Sequence, residues 1–288
     1  MEPNNERINI CYCGNDKMFY GVLLSALSVA SVTERPISVY VLTADLVSKK
    51  KAFAAFSEEQ GKRIEEILVR HNKENKVIIK NVKELFLKDF HKCINLHSAY
   101  TPYAFMRLVL DDMDDMPSKI LYMDTDTIAV KSVAPLFDLD MSNYDIAMVQ
   151  DAVGKHYFGK RYGNSGILLI NLDNVRLHGS FAKARHRVNH VKMFMPDQTA
   201  LNIVCGLKKT KLMLPGIYNE QLDLHEDTVI RHYCKRMYWL PVVHTVNIKP
   251  WDVEKLRKRF GQNIHAELLA EFVKAKESFS EKGLIDGK

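Results

Sequence analysis

Strand-like and helix-like segments alternate along the first third of the chain, and this alternation limits the possible folds more than any other feature. The runs RINICYCG (7–14), ISVYVLTADL (37–46) and KVIIKNV (76–82) predict strands. The segments between them, 15–32 and 47–72, have the apolar spacing of helices. Because strands joined by helical crossovers lie parallel, the chain predicts an α/β fold with a doubly wound, parallel-type sheet.

The pattern continues to about residue 173 and then becomes more helical. The segment 101–113 predicts a helix with Thr101 as its N-cap and Pro102 at its first position. The other predicted elements are strands at 120–130, 144–151 and 165–172, a helix from 197, short strands at 228–234 and 238–246, and a charged helix over 253–279. Because repeats and linkers are absent from the sequence, it predicts one domain over 1–288.

Composition narrows the function classes. Hydrophobic residues make up 47% of the 288 residues, which is enough for a sizeable core. The net charge of +6 suits a phosphorylated ligand or an anionic membrane surface, but the basic residues are too scattered to indicate nucleic acid. The 5 cysteines lack zinc-type spacing and predict free thiols of a reducing compartment. Without a signal-peptide pattern or an apolar run of about 18 residues, we expect a cytoplasmic protein.

The segment ILYMDTDTIAV (120–130) places two acids, Asp124 and Asp126, in an apolar strand. Side chains at i and i+2 of a strand share a face, and two carboxylates about 4 Å apart repel by about 4 kcal/mol at an effective dielectric of about 20. A divalent cation removes that repulsion. The other interpretation is a strand end in solvent, with each Asp capping a turn. The DDMDD run (111–115) lacks an apolar lead and is interpreted as a solvated face.

Two families place paired acids at such a strand tip. Haloacid-dehalogenase-type phosphatases use D-x-D-x-T on the first strand, but here the motif is D-T-D-T-I and at least three strands precede it. Six pieces occur in order along the chain: INICYCGND, YAFMRLVL, ILYMDTDTIAV, NSGILLINL, DQTALN and IKPW. In these pieces, from residue 8 to about 252, the chain resembles glycosyltransferases of family 8, which include glycogenin and bacterial lipopolysaccharide galactosyltransferases.

The resemblance implies a GT-A type fold, with a Rossmann-like mixed sheet over 7–173 and an acceptor-side and C-terminal helical part over 174–288. It implies a UDP-sugar donor and a Mn²⁺ (or Mg²⁺) ion held by Asp124 and Asp126. Thr125 would offer its backbone to the ribose. Arg107 matches a basic residue near the donor, and the alternative is a salt bridge to Asp111 or Asp112.

The third metal ligand stays open between two histidines. His232 has the family's H-Y pair but lies 17 residues before Lys249, whereas His244 has nearly the right spacing but lacks the family's glycine. The resemblance favours His232 slightly. It assigns Lys249 to a phosphate.

The resemblance also assigns the base and sugar contacts. Cys13 and Asn15 match the uracil segment, although Asn15 stands where many members carry Asp; the alternative is that Asn15 and Asp16 cap the following helix. The donor sugar would lie beside Asn164, Ser165 and Gly166, with Asp151, Asp197 and Gln198 lining its pocket. A helix N-cap is the alternative for Asp197, and Thr199 replaces the second acid of the usual D-Q-D.

The family retains the anomeric configuration. Double displacement needs a carboxylate on the β face, where this chain offers the amide Gln198, so we expect front-face attack by the acceptor. A donor-binding protein without transfer activity is the alternative. The acceptor would be a saccharide or a lipid-linked glycan, contacted by HYFGKRYG (156–163). The basic residues Lys255, Arg257, Lys258 and Arg259 are interpreted as a solvated helix face, or alternatively as a contact with an anionic membrane.

Overall fold

A seven-stranded sheet forms the centre of the protein. The computed structural model describes residues 6–48, 51–96, 101–207, 209–238, 242 and 244–281. The strands of this sheet are β1 (Ile8–Cys13), β2 (Ile37–Thr43), β5 (Lys76–Asn81), β6 (Lys119–Met123), β8 (Ile146–Gln150), β9 (Gly163–Asn171) and β10 (Lys211–Leu214). Across the sheet they follow the order β10-β8-β9-β6-β1-β2-β5. Three two-stranded sheets are formed by β3 (Leu46–Ser48) with β4 (Lys51–Phe53), β7 (Thr127–Ala129) with β11 (Ile230–His232), and β12 (Arg236–Tyr238) with β13 (His244–Val246).

The sheet is mixed because one strand is reversed. The pairs β1–β2, β2–β5, β1–β6 and β8–β10 are parallel, whereas β9 is antiparallel to both β6 and β8. The alternation of strands and helices correctly predicts parallel pairing in the first half of the sheet. The start of β9 therefore meets the carboxyl ends of its neighbours at one edge, where α/β sheets bind ligands.

Helices cover both faces of the sheet. They are α1 (Phe19–Val32), α2 (Glu58–Leu68), α3 (Lys83–Phe90), α4 (Ala134–Phe137), α5 (Lys155–Phe158), α6 (Leu172–His178), α7 (Ser180–His190), α8 (Pro196–Leu207), α9 (Val253–Phe260), α10 (Ala266–Glu281) and 3₁₀ helices at Asp16–Met18, Pro102–Asp112 and Gly216–Tyr218. One hydrophobic cluster joins the sheet to α1, α2 and α10, and a second joins it to α3, α6, α7, α8 and the 3₁₀ helix Pro102–Asp112. Ile10 and Tyr12 belong to the first cluster and Cys11 to the second, as the strand alternation requires.

The segment 120–130 is not one strand, and the prediction that it would be is wrong. β6 ends at Met123, and β7 begins at Thr127 and pairs with β11 outside the main sheet. The turn between them is closed by the Thr127 hydroxyl, which donates to the Asp124 carbonyl at 2.7 Å. β6 already lies between β1 and β9, so a strand continuing past Met123 would bury two carboxylates within the sheet, which is costly.

Three other boundaries differ from the predictions. The segment 47–72 contains the hairpin β3–β4 before α2, whose N-cap Ser57 forms a capping box with Gln60. The segment 101–113 is a 3₁₀ helix, although it starts at Pro102 after Thr101 as predicted. The predicted helix over 253–279 is interrupted at Gly261, whose φ of 105° favours glycine. In the described ranges, no helix combines the length and apolarity needed to cross a membrane.

Candidate active site

Two aspartates and a histidine converge where β6 ends. Asp124 and Asp126 lie at the β6–β7 turn, and β11 places His232 opposite Thr127. The Nε2 atom of His232 lies 3.2 Å from Asp126 Oδ1 and 3.7 Å from Asp124 Oδ2. One ligand atom from each of the three side chains lies within 4.8 Å of the others. The turn, and not the strand pleat expected from the sequence, brings the two acids together.

This donor set fits a divalent cation. Carboxylate oxygens and an imidazole nitrogen suit Mg²⁺ and Mn²⁺. Among the described residues, these three side chains form the group whose ligand atoms lie close enough together to share one metal ion. Asp126 and His232 are buried, but the Asp124 side chain is 33% exposed and opens the site to a ligand. The Tyr122 hydroxyl holds Asp124 by donating to its Oδ1 at 2.8 Å.

Lys249 completes the charge balance. Its Nζ lies 2.6 Å from Asp126 Oδ2, a closer contact with the acidic pair than the sequence indicated. Burial acts to raise the pKa of Asp126, but His232 and Lys249 outweigh it and hold that pKa well below its usual range. Burial lowers the pKa of His232, but Asp126 and Asp124 together raise it above its usual value. The site therefore stabilises positive charge beside its carboxylates.

Arg107 connects this turn with α8. Its guanidinium lies over the Tyr122 ring, 4.2 Å from the centroid, and its Nη2 is 3.0 Å from Asp197 Oδ2 and 3.7 Å from Asp124 Oδ1. It also donates to the Ser165 carbonyl. The alternative of a salt bridge from Arg107 to Asp111 or Asp112 is therefore wrong.

Arg185 pairs with those two acids instead. The interpretation of the DDMDD run as a solvated face is wrong for Asp111, whose side chain is only 7% exposed. Asp197 lies in the first turn of α8 beside Arg107 and is not its N-cap. Burial raises the pKa of Asp197, although Arg107 counteracts this effect.

The predicted sugar-pocket residues meet next to Arg107. Asp151 follows β8, Asn164 and Ser165 lie near the start of β9, and Gln198 lies in the first turn of α8. Asp151 Oδ2 accepts from Asn164 Nδ2 at 2.9 Å and from Gln198 Nε2 at 3.0 Å. Gln198 Oε1 accepts from the Ser165 backbone N–H at 3.0 Å. The structure therefore brings these four residues into one buried cluster.

Glycine is required at position 166 because the His232 ring lies close to the backbone there. A Cβ at this position would lie 2.2 Å from Cε1 and 2.7 Å from Nδ1 of His232. The group that requires glycine at this position is therefore the imidazole ring of His232.

The other predicted residues with described side chains lie at the end of β1, just after it and on the β6–β7 turn. Cys13 ends β1 and is partly buried, and Asn15 caps the 3₁₀ helix Asp16–Met18 by accepting from the Lys17 N–H at 3.1 Å. Thr125 packs against α1 at Gly21, next to Trp251. The side chain of His244 lies outside the described residues, although its backbone forms β13.

The sequence interpretation missed Asn219. This residue is buried after the 3₁₀ helix Gly216–Tyr218, and it contacts both His232 and Asn164. The only available signal was its place shortly after β10, at the edge where the other site residues lie. All five cysteines are free thiols, of which Cys11, Cys93 and Cys205 are buried.

Comparisons with known proteins indicate the family of this chain. The model of the family named Glycosyl transferase family 8 matches residues 9–254. The probable glycosyl transferase Gly of Streptococcus gordonii is 28% identical over 174 residues, which make up 59% of this chain and 24% of that protein. GlyA of Streptococcus pneumoniae, a glycosyltransferase, is 32% identical over 169 residues, 55% of this chain and 22% of that protein. The chain thus spans about a quarter of the length of these relatives.

Solved structures show the same fold. The galactosyltransferase LgtC, in complex with donor and acceptor sugar analogues, superposes with a TM-score of 0.58 at 21% identity. The match covers 79% of this chain and 87% of that one. The chain therefore has the GT-A fold, an α/β domain built on a mixed sheet.

Proposed function

We propose that this chain, which belongs to glycosyltransferase family 8, transfers a hexose, glucose or galactose, from a UDP-sugar to a saccharide or lipid-linked acceptor. The observation that carries the proposal is the convergence of Asp124, Asp126 and His232 beside the cluster of Asp151 and Gln198. Family membership also argues against the phosphatase alternative.

Asp124, Asp126 and His232 would hold the metal, which we propose is Mn²⁺ or Mg²⁺. When bound, it would neutralise the charge that develops on the departing diphosphate. Lys249, adjacent to Asp126, adds a second positive charge for a phosphate oxygen. We propose that Thr125 contacts the ribose of the donor and that Cys13 and Asn15 contact its base.

The contacts of the carboxylates favour front-face attack. Asp151 accepts four hydrogen bonds, from Asn164, Gln198 and the N–H groups of Val153 and Gly154, which lowers the nucleophilicity of its oxygens. Asp197 is engaged by Arg107. The Gln198 amide is fixed at both ends and is a poor nucleophile. We therefore propose that these residues orient the sugar and support positive charge at its anomeric carbon.

Two departures from the family pattern favour the second candidate, donor binding without transfer. Thr199 replaces the second acid of the usual D-Q-D, and the spacing between either histidine and Lys249 differs from that of the family. Thr199 is part of the pocket wall: its hydroxyl bonds the Tyr162 hydroxyl at 2.8 Å and donates to the Phe194 carbonyl at 2.6 Å. Release of UDP from UDP-glucose or UDP-galactose separates the two candidates. Binding of either donor without transfer or hydrolysis would support the second.

The acceptor is proposed to contact α5 and the loop after it. Tyr157 and Phe158 are exposed by 66% and 48%, and the Phe158 ring stacks on Tyr162 at 4.6 Å between centroids. Tyr162 in turn bonds Thr199 next to Gln198, so this aromatic surface adjoins the sugar pocket. If the acceptor is linked to a lipid, α9 would contact the inner face of a membrane. Binding of the chain to anionic vesicles tests this contact.

Calorimetry with Mn²⁺ and UDP tests the metal site. We expect the unaltered chain to bind both and Asp126→Ala to lose metal-dependent UDP binding, because a buried ligand and the partner of Lys249 are removed. Far-ultraviolet circular dichroism of the variant checks that it still folds. Equal binding of Mn²⁺ by Asp126→Ala and the unaltered chain would contradict the proposal.

Substitution of each histidine tests the third ligand. We expect His232→Gln to weaken Mn²⁺ binding by at least about tenfold, in line with the loss of a ligand or its support. His244→Gln is the matched control and should leave the Mn²⁺ dissociation constant unchanged. The reverse result would assign the role to His244, and no effect from either variant would refute a three-residue site.

A further inference from the structure

A chain of buried side-chain hydrogen bonds connects the sugar pocket with the metal-site histidine. Asn164 Nδ2 lies 2.9 Å from Asp151 Oδ2, Asn219 Nδ2 lies 2.9 Å from Asn164 Oδ1, and Asn219 Oδ1 lies 3.0 Å from His232 Nδ1. Each of the four residues is at most 9% exposed. Bulk solvent therefore has little access to these groups, and each is satisfied by its neighbour in the chain.

The direction of this chain is set at its Asp151 end. A carboxylate only accepts hydrogen bonds, so Asn164 must present its NH₂ group to Asp151. An independent contact agrees, because the backbone N–H of Gly166 donates to Asn164 Oδ1 at 2.9 Å and needs an oxygen there. Asn164 Oδ1 also faces Asn219, which must donate its own NH₂ group.

This order determines the state of the imidazole. With its NH₂ group used by Asn164, Asn219 has its oxygen facing His232. That oxygen can only accept, so the proton lies on Nδ1. Nε2 is then the nitrogen with a free lone pair in the neutral ring, and it is the atom that faces Asp126 and Asp124.

We propose that Asn219 is a positioning residue that keeps His232 in the Nδ1–H tautomer, with Asp151 setting the direction of the chain through Asn164. The inference rests on the proposed function, because the tautomer matters only if Nε2 binds a metal. It links the two halves of the site: the residue that lines the sugar pocket also determines which nitrogen is offered to the cation. Second partners of this kind typically change metal affinity by about 10–100-fold.

Nitrogen NMR of the His232 ring, without metal, tests the tautomer directly. The ring is observed in ¹⁵N-histidine-labelled protein, assigned with His232→Gln, at a pH high enough to make it neutral. We expect the shifts of a protonated Nδ1 in the unaltered chain. We expect Asn219→Ala to shift the ring toward the Nε2–H tautomer and to raise the Mn²⁺ dissociation constant by about 10–100-fold.

Asn219→Asp is the matched variant. Its carboxylate still accepts from Nδ1, so it should keep the Nδ1–H signature and lose less Mn²⁺ affinity than Asn219→Ala. Asp151→Asn, which does not contact His232, should also increase the Nε2–H form, but less than Asn219→Ala does, because the Gly166 N–H still favours an oxygen at Asn164. The N–H groups of Val153 and Gly154 would hold the oxygen of the new amide at the position of Oδ1. Its NH₂ group would then face the NH₂ groups of Asn164 and Gln198 at the position of Oδ2.

The outcomes separate this inference from the proposed function. An Nε2–H ring in the unaltered chain, or an unchanged tautomer in both Asn219→Ala and Asp151→Asn, would overturn the inference even if Mn²⁺ binds. A correct tautomer with no Mn²⁺ or UDP binding would overturn the proposed function alone.

Discussion

At the scale of single residues, Gly166 is the position where the smallest change should have the largest effect. The Cβ of Gly166→Ala would lie 2.2 Å from the His232 ring, which is buried and has little room to move. We expect the variant to lose about 1–3 kcal/mol of unfolding free energy, the usual cost of overpacking. We also expect weaker Mn²⁺ binding, because the ring must move away from Asp126. Urea unfolding and Mn²⁺ titration measure the two effects.

Gly216→Ala is the matched control, because a Cβ there meets no atom within 4 Å. Its unfolding free energy and its Mn²⁺ affinity should stay close to those of the unaltered chain. If Gly166→Ala behaved like this control, the close packing of His232 on β9 would be wrong.

The identity of most site residues was predictable from the sequence, but their contacts were not. The motif around Asp124 and Asp126 indicates a metal, yet their convergence depends on a turn that Thr127 closes. The choice between His232 and His244 stayed open because spacing along the chain does not determine the pairing of β11 with β7. Asn219 was missed because its role depends on partners 55 and 13 residues away.

At the scale of elements, α1 supports the site through a glycine. A Cβ at Gly21 would lie 2.8 Å from Trp251 Cζ3 and 3.1 Å from Thr125 Cβ, so α1 contacts both the metal-site turn and the segment after Lys249. Gly→Ala inside a helix normally stabilises it by about 1 kcal/mol. Here we expect net destabilisation and weaker UDP binding, because the ring edge of Trp251 belongs to a bulky, partly buried side chain.

Gly206→Ala in α8 controls for helix propensity. The nearest atom to its Cβ would be Lys211 Nζ at 3.8 Å, an ordinary contact, so this variant should unfold at equal or higher urea concentration. UDP calorimetry and urea unfolding on both variants distinguish packing from propensity. Equal stabilisation of the chain by both substitutions would contradict the contact of Trp251 with α1.

Elements with strong periodicity were predicted well, and their interruptions were not. The apolar runs of β1, β2, β5 and β9 are enough by themselves to predict these strands. The break after β6 and the stop at Gly261 depend on neighbours and on backbone conformation that periodicity does not report. The sequence predicts helix at the hairpin β3–β4 because its alanine and lysine residues favour helix over strand.

At the scale of the whole molecule, the C-terminal helices return to the face of the sheet that carries α1. Phe279 packs on Phe19 with ring centroids 5.6 Å apart, and Phe272 packs on Tyr20 at 6.1 Å. The family match ends at residue 254, so α10 extends the first hydrophobic cluster beyond it. The boundary at 173/174 between a donor part and an acceptor part stays a prediction.

The junction of α9 and α10 should make folding sensitive to acid. His265 Nε2 lies 2.7 Å from the Tyr233 hydroxyl, and burial, aided by the positive charge of Arg231, lowers the pKa of His265 to about 4. An unfolded histidine has a pKa of about 6.5. Between these values the unfolded chain binds a proton that the folded chain does not. The contribution of neutral His265 to the free energy of unfolding is therefore complete above about pH 6.5 and decreases as the pH falls toward 4.

We expect this difference to remove about 2 kcal/mol of unfolding free energy between pH 7.5 and pH 5. His265→Gln does not titrate, so its unfolding free energy should fall by about 2 kcal/mol less than that of the unaltered chain over the same interval. Tyr233→Phe is the control: it loses about 1 kcal/mol at both pH values by removing the hydroxyl, but it keeps the partly buried imidazole and hence the acid sensitivity. Urea unfolding at the two pH values measures all three proteins. If His265→Gln kept the full acid sensitivity, the imidazole would not be held in its neutral form, and the contact of His265 with Tyr233 would be wrong.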